Sequence, residues 1–493
     1  MTGLSEIVLE FRMRVFGART LPALGRPRTI LLVALILGTI GLSAVEGEGQ
    51  QPGARSKSRK AEPVRVYRNS DPTPRHDEAR LKSIGIGRYT GNRLQLFSDL
   101  PDEKARPLPP IMDQLYDAWV EYFGTLPPDR GETEFQMTGY LMVDQRLFRE
   151  SDLLPEDLPA FPHGRHRGTR FWLNEQPTDY YRRHLLLHEG THCFMTAVRH
   201  PMFNRVWYME GMAELFATHR IDGEGVARFR VMPHDREQFA NLGRIRLIED
   251  EVRRTGPRTL RSVIDLGPDD FQANASYAWA WAACQFLDGH PRYHEPFQRF
   301  GRCVTTGIPE EDEQRLLFER FPDLAEEWLL FAANLCHGYD QERAAIDFGK
   351  GRPLEQGASA KCSIAADRGW QSSGILVEKG AAISISASGR FVIAEPDSGA
   401  GAPRPWESEA QGVSIRYYAG QPLGKLVAVI RSTDSGVADQ TRSKSTMLDV
   451  IPVGRERRIV PDVSGTLYFR VNDAWNELAD NSGKVAVEVR REP

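Results

Sequence analysis

Residues 184–195 read HLLLHEGTHCFM, and this stretch decides how the middle of the chain is organised. It contains an HExxH pattern that runs from His188 to His192. Positions i and i+4 lie on one face of a helix, so these two histidines can direct their imidazoles at one metal ion. Glu189 follows the first histidine, where its carboxylate can accept a proton from water. The alternative is a charged helix face with two incidental histidines.

A second segment, WYMEGMAELFA at 207–217, supplies carboxylates at helical spacing. Glu210 and Glu214 are one turn apart and therefore share a helix face. Two histidines and one glutamate leave a fourth position open, which is the layout of catalytic zinc. We expect His188, His192 and Glu210 to hold zinc, with Glu214 behind them hydrogen-bonded to a ligand histidine. In the alternative, both glutamates are solvated surface acids.

The sequence around these motifs predicts a mostly helical α+β domain over 65–343. Apolar residues recur at helical spacing in 111–123, 180–199, 207–219, 236–254, 276–288 and 323–336, whereas 135–143 and 171–174 have the character of strands. From about residue 357 the character changes to short apolar runs between Gly, Asp, Asn and Ser. Residues 357–493 are therefore predicted to form an all-β sandwich or jelly roll, joined through a linker at 344–356.

The N-terminus is predicted to direct export. Residues 1–45 combine arginines with the apolar run ILLVALILGTIGLSA at 30–44, the pattern of a secretory signal. The run of about 15 residues is short for a transmembrane helix, which needs about 20. Leu42 is a poor residue at the usual small position of a cleavage site, so an uncleaved signal anchor stays open as the alternative. Residues 46–64 are polar and predicted to be a flexible linker. We expect a periplasmic, cell-surface or secreted protein, which touches the membrane only if the anchor is retained.

Composition narrows the function classes. The 493 residues include 63 Lys+Arg and 67 Asp+Glu, for a net charge of −4, which argues against a nucleic-acid-binding protein. Five cysteines are too few for a disulfide-built scaffold, and an odd number leaves at least one thiol free in a monomer.

The HExxH motif followed by the W-x-x-E-G-x-A-E helix resembles the gluzincin metallopeptidases, which include thermolysin. Residues 110–335 are similar in layout to the uncharacterised peptidase-like families of that clan, with RTLRSVIDL at 258–266 and SYAWAWAACQFL at 276–287. The resemblance implies a zincin-type domain in which His188, His192 and Glu210 bind zinc. It also implies that Glu189 is the general base of peptide hydrolysis.

Gluzincins usually add a tyrosine or histidine that donates a hydrogen bond to the oxyanion. Tyr277, near the start of a predicted helix, is the candidate here, and a core tyrosine is the alternative. Weaker candidates for this role are His234, His290, Tyr293 and His294. His184 is expected on the helix surface, and Cys193 is expected to pack in the core rather than to act as a nucleophile.

Residues 357–493 resemble the calcium-dependent galactose-binding lectins of the PA-IL type. The sharpest match is Asn472-Asp473 followed by Asp480-Asn481-Ser482-Gly483. The resemblance implies a calcium site formed by the side chains of Asp473, Asp480 and Asn481, the carbonyl of Glu477 and a carbonyl near Ile393. The alternative is a hairpin turn rich in Asn and Asp that holds no ion. Those lectins place a histidine in the sugar pocket, whereas no histidine follows His337 here.

Two functional hypotheses follow from these patterns. The first is an exported zinc metallopeptidase that acts on peptides or proteins and carries a glycan- or surface-targeting β-domain. The second is a non-catalytic carbohydrate-binding or adhesion protein on a zincin scaffold. Glu189 favours the enzyme, because a scaffold without activity has no need of that acid.

Overall fold

The computed structural model describes residues 66–493, apart from 71, 310, 311, 313, 314, 395–404 and 434–443. The signal predicted at 1–45 and the linker predicted at 46–64 lie outside the described residues. Within the described ranges, no helix is both long and apolar enough to cross a lipid bilayer. All five cysteines are thiols.

Helices occupy the first part of the described chain. They are α1 Glu78–Ser83, α2 Asp102–Ala105, α3 Leu108–Phe123, α4 Gln145–Glu150, α5 Asp179–Met195, α6 Val206–Ala217, α7 Arg244–Thr255, α8 Leu260–Ile264, α9 Asn274–Gly289, α10 His294–Gly301, α11 Cys303–Thr306, α12 Leu324–Asn334 and α13 Gln341–Ala344. Among the described residues every α-helix ends by Ala344, and we call residues 66–344 the helical region.

Strands occur in both parts of the chain and dominate the second. They are β1 Gly87–Thr90, β2 Leu94–Ser98, β3 Met137–Met142, β4 Gly164–Arg167, β5 Arg170–Asn174, β6 His219–Ile221, β7 Ala227–Phe229, β8 Arg352–Pro353, β9 Ser359–Ala365, β10 Gln371–Val377, β11 Ile383–Ser388, β12 Arg390–Ala394, β13 Trp406–Glu409, β14 Val413–Tyr418, β15 Gln421–Leu423, β16 Leu426–Ser432, β17 Ile451–Pro452, β18 Glu456–Ile459, β19 Gly465–Val471 and β20 Ser482–Arg491. The chain is therefore a mixed helix-and-sheet region followed by a β-rich region (352–493), as the sequence predicts at this level.

Two helices differ from their predicted boundaries, and local features explain both differences. The helix predicted over 180–199 ends at Met195, after which the Thr196 hydroxyl donates to the carbonyl of His192, 2.8 Å away. The helix predicted over 236–254 begins only at Arg244. Gly243, directly before it, has a φ of 62°, in the left-handed region that favours glycine and interrupts a helix.

The sheet of the helical region has the strand order β1-β2-β3-β5-β4. Strands β2, β3 and β5 are parallel, and the two outer pairs are antiparallel. Phe171 and Leu173 of β5 face the main helical core, whereas Trp172 faces a smaller core on the other side of the sheet. Strand β4 is an edge strand, so its outer side has no strand partner within the described residues.

Helix α6 is held close to its neighbours by a glycine. It packs against both α5 and α9. A Cβ at Gly211 would lie 2.5 Å from the carbonyl oxygen of Ala280 and 2.6 Å from the sulfur of Cys284, so a larger residue cannot occupy this position without moving α9. Gly211 therefore allows α6 to pack closely against α9, and this close packing positions Glu210, the preceding residue on α6.

The β-rich region consists mainly of two sheets with a shared core. Their orders are β17-β16-β19-β10-β8 and β13-β12-β20-β11-β18, with β9 paired to β20. Alternate residues of β16 and β19, such as Ala428 and Phe469, pack in the core between the sheets. The intervening residues, including Val427, Val429 and Tyr468, belong to the main core of the helical region. The central strands β16 and β19 of this sheet are therefore buried on both faces over most of their length. This burial explains why LVAVI at 426–430 and LYF at 467–469 lack the polar alternation of a half-exposed strand.

Polar contacts join the two regions beside this shared core. The Arg431 guanidinium on β16 donates to Glu326 at 2.6 Å and to Asp323 at 2.5 Å. The segment 344–356, predicted as a linker, runs along the junction. Its buried Ile346 donates its N–H to the carboxylate of Glu327 at 2.7 Å. The connection between the regions is thus packed and hydrogen-bonded in this part.

We expect Arg431→Met to destabilise the protein by about 1–3 kcal/mol, because the variant removes the cation that binds both Glu326 and Asp323, which are half-buried. Urea unfolding of the protein measures the change in the free energy of unfolding. Arg390→Met is the matched control, since Arg390 is an exposed arginine paired with Glu407 and Glu409. Its effect should stay below about 1 kcal/mol. Equal effects from the two variants would contradict a stabilising role for the junction.

Candidate metal centre

Three side-chain atoms of α5 and α6 form a tight triangle, which we call the metal triangle. The Nε2 atoms of His188 and His192 are 3.1 Å apart, and each lies 3.3 Å from Oε2 of Glu210. Ligand atoms around a tetrahedral zinc at 2.0–2.1 Å are about 3.3–3.4 Å apart. The donor types and their spacing therefore fit one zinc ion.

The helix carrying the histidines is fixed at its start. The Thr178 hydroxyl caps α5 by accepting from the N–H of Tyr181 at 3.2 Å. From there α5 runs through the core, and His188 and His192 follow one another by one turn. Both imidazoles are buried, and the Glu210 side chain is the most exposed member of the triangle at 21%. Glu210 is thus the member of the triangle that solvent reaches most readily.

In this cluster, burial and the neighbouring charges shift the pKa values of the side chains in opposite directions. Burial lowers the pKa of His188, but hydrogen bonds to Glu210 and Glu214 outweigh it and raise this pKa to about 10. The pKa of His192 is lowered by burial. The pKa of Glu210 is lowered because the two histidines outweigh its burial. A metal ion that takes the lone pair of His188 must therefore displace a proton.

Glu214 organises the buried side of the metal triangle. Its Oε1 lies 3.3 Å from Nδ1 of His188, and its Oε2 lies 3.2 Å from Nε2 of His184. Arg244 of α7 donates from Nε and Nη2 to the two oxygens at 2.8 Å each. Burial raises the pKa of Glu214, but Arg244 and His184 outweigh it and hold this pKa well below its usual value. The placement of His184 on the helix surface is therefore wrong: it is buried because the carboxylate accepts its hydrogen bond.

Glu189 lies where the edge strand β4 passes over α5. Its Oε2 is 3.6 Å from Nδ1 of His166, and the His166 ring stacks on His192 with centroids 4.7 Å apart. A Cβ at Gly164 would lie 2.6 Å from Oε1 of Glu189, so the glycine leaves the space that this carboxylate fills. Glu189 is thus held between the strand and the helix, next to the metal triangle.

A cleft of about 620 Å³ opens over this cluster. Glu189, His188 and Tyr277 line it, together with Phe161 and Phe271. The Tyr277 ring lies 6.2 Å from the ring of His188. Burial and the nearby glutamates raise the pKa of Tyr277, so its hydroxyl stays protonated at neutral pH and can donate a hydrogen bond.

The weaker candidates lie outside the lining of this cleft. His290 and Tyr293 both bind Glu327, at 3.0 and 2.6 Å. His294 contacts Asp288, His234 packs on Phe239, and Cys193 is buried in the core as expected.

The predicted calcium residues share one loop between β19 and β20. Asp473 is fully buried, and its Oδ2 accepts from Nδ2 of Asn481 at 2.9 Å. Oδ1 of Asn481 is buried without a hydrogen-bond partner. The Glu477 carboxylate instead pairs with Arg416 at 2.6 Å. Oδ1 of Asp473 accepts from the N–H of Ala474 at 2.7 Å, so both oxygens of this carboxylate are hydrogen-bonded within the loop. Because Arg416 engages the carboxylate of Glu477, only the Glu477 carbonyl is left for an ion.

Sequence reasoning did not identify His166 and Arg244 as parts of the site. His166 lies in the short segment GRHR at 164–167, which carries no apolar alternation to mark it as a strand. Arg244 begins an amphipathic helix with many arginines, and its burial depends on contact with Glu214. The need for a cation to neutralise a buried Glu214 is the sequence signal that could have indicated Arg244.

Glu214→Gln should lower zinc affinity about 10- to 100-fold, the usual effect of removing the hydrogen-bond partner of a ligand histidine. Competition with a metal-binding dye measures this affinity. Glu251→Gln, on α7 and paired with Arg258, removes the same charge away from the centre and should leave zinc affinity unchanged. Unaltered affinity in Glu214→Gln would show that Glu214 stabilises only the fold.

The raised pKa of Asp473 predicts that the stability of the protein depends on pH when a chelator is present. Burial raises the pKa of Asp473 to about 6, from an ordinary value of 3.8. The folded state therefore binds this proton more tightly, and the associated stability is complete below pH 3.8 and lost as the pH rises through about 6. Between these limits the wild type should lose up to about 3 kcal/mol relative to Asp473→Asn.

Urea unfolding in a chelator at several pH values measures this difference, with exposed Asp449→Asn as the control. Added calcium at neutral pH should raise the stability of the wild type but not of Asp473→Asn, because an ion that binds only the folded state stabilises it. Parallel pH curves for wild type and Asp473→Asn would rule out an altered pKa at this position.

Comparison with known proteins shows a partial structural similarity. No protein-family model matches the chain, and no curated protein matches it. Among solved structures, the chain is similar to a domain described as "EclA N-terminal domain; PllA-like lectin". The match has 22% sequence identity and a TM-score of 0.19, and it covers 27% of this chain and 95% of that chain.

Proposed function

We propose that this chain is an exported zinc-dependent metallopeptidase, with zinc held by His188, His192 and Glu210. The metal triangle is the observation that carries the proposal. Two imidazole nitrogens and a carboxylate oxygen lie 3.1–3.3 Å apart beside an open cleft, with a further carboxylate next to them. A purely structural role would not require the open side or the additional acid.

The residues around the triangle divide the chemistry of hydrolysis among them. Zinc, when bound, supplies a Lewis acid that polarises a carbonyl and acidifies water. Glu189 accepts the proton of the attacking water and delivers it to the leaving amine. Tyr277 donates its hydroxyl proton as a hydrogen bond to the developing oxyanion. Glu214 holds His188 in orientation, and Arg244 holds Glu214.

The shape of the cleft favours a peptide as the substrate. Strand β4 borders the cleft through Gly164 and Arg165, and its outer edge has no strand partner among the described residues. An extended peptide can add to such an edge through main-chain hydrogen bonds. A peptide held there would pass directly over Glu189, which lies against Gly164.

For the β-rich region we infer a calcium-binding, glycan- or surface-contacting role. The buried Asp473 and the unpartnered oxygen of Asn481 support an ion at the loop between β19 and β20. The competing hypothesis, a carbohydrate-binding or adhesion protein without catalysis, shares this region. The two hypotheses differ in what Glu189 does.

Glu189→Gln should abolish hydrolysis and keep zinc, because an amide retains the shape of the side chain but cannot accept a proton. We expect a loss of at least about 10²–10⁴-fold in kcat/KM on a mixed peptide library, with elemental analysis for zinc on the same sample. Glu210→Ala is the contrasting variant, which should lose the metal as well as activity.

A wild-type protein that holds zinc but cleaves no peptide would favour the non-catalytic hypothesis. Full activity in Glu189→Gln would exclude Glu189 as the general base. Tyr277→Phe separates the oxyanion role from a packing role, since it should lower kcat while leaving the zinc content and thermal stability unchanged.

A further inference from the structure

Arg165 is a cation at the border of the cleft on the edge strand β4. Its neighbours Gly164 and His166 face helix α5, where they contact Glu189. Residues alternate along a strand, so Arg165 lies on the opposite face, paired in register with Trp172. Arg165 is exposed and lines the cleft.

The charges around Arg165 leave it available for a ligand. The other arginine lining the cleft, Arg244, is bound to Glu214. Two positions along β4, Arg167 pairs with Asp157 at 3.1 Å. Arg165 itself has no ion pair within the described residues. Arg165 is thus a permanent positive charge beside the cleft, and no acidic side chain in the part of the chain that the structure describes neutralises it.

We propose that Arg165 selects peptides that carry an acidic side chain where they run beside it along β4. The inference rests on the proposed function, because it takes the cleft to bind an extended peptide. A strand added to β4 would lie about 4.8 Å away, and alternate side chains would project to the face of Arg165. A glutamate there lies within reach of the guanidinium, whereas a lysine is repelled.

The size of this selectivity follows from the exposure of Arg165. Exposed ion pairs contribute about 0.2–1 kcal/mol, and exchanging glutamate for lysine replaces attraction by repulsion. We expect peptides with acidic residues to bind about three- to fivefold more tightly than the lysine versions at moderate salt. The preference should decline as salt is raised.

The test measures peptide binding to zinc-loaded Glu189→Gln, so that it does not depend on hydrolysis. The probes are two labelled peptides with alternating Thr-Glu and Thr-Lys sequences, each of which places all of its charges on the face of Arg165 in one of its two registers. Fluorescence anisotropy should show tighter binding of the glutamate peptide. Adding Arg165→Glu should reverse the order of affinities.

Arg457→Glu in the same background is the matched control, since it makes the same charge change at an exposed arginine on the edge strand β18 of the β-rich region, outside the lining of the cleft. The inference is overturned if Arg165→Glu keeps the wild-type order, if Arg457→Glu reverses it equally, or if neither peptide binds. Reversal by Arg165→Glu alone supports it.

Hydrolysis by the wild type separates this inference from the proposed function. Cleavage of a mixed peptide library without any charge preference would overturn the role of Arg165 and retain the peptidase. Reversed binding in Arg165→Glu without any cleavage by the wild type would retain Arg165 and overturn the peptidase.

Discussion

The candidate centre depends on one buried carboxylate, Glu214, which joins three helices. It accepts from Arg244 of α7, lies against both His184 and His188 of α5, and is itself carried by α6. Burying a charge costs several kcal/mol unless partners neutralise it, and this charge is neutralised only when all three helices are in place. The orientation of His188 is therefore a consequence of helix packing, and Glu210, one turn away on α6, comes into position with it.

The sequence predicted the elements that carry their own periodicity. The helices α5 and α6, their histidines and glutamates, and the β-rich character after residue 357 all follow from local spacing. Partners that depend on tertiary contact were missed, such as His166 on an edge strand without apolar alternation. His184 was misplaced because its polarity suggested exposure, and only the three-dimensional structure shows the carboxylate that allows its burial.

The sequence predicts that the central strands of the β-rich region are buried, but it does not predict that they pack against the helical region. Strands β16 and β19 contain the continuous apolar runs LVAVI and LYF, a pattern that predicts burial but does not specify what covers each face. The structure shows that one face meets the second sheet of the β-rich region and the other meets the helical region. Ion pairs from Arg431 to Asp323 and Glu326 lie at the rim of that contact.

This double burial restricts how the β-rich region can be exchanged in evolution or in engineering. A module that is attached through a loop can be cut and fused to another enzyme, because its surface is already polar. Here Val427, Val429 and Tyr468 would become a solvent-facing apolar patch on a sheet after such a cut. Grafting the region elsewhere would require new polar residues at these positions, or a recipient with a matching apolar face.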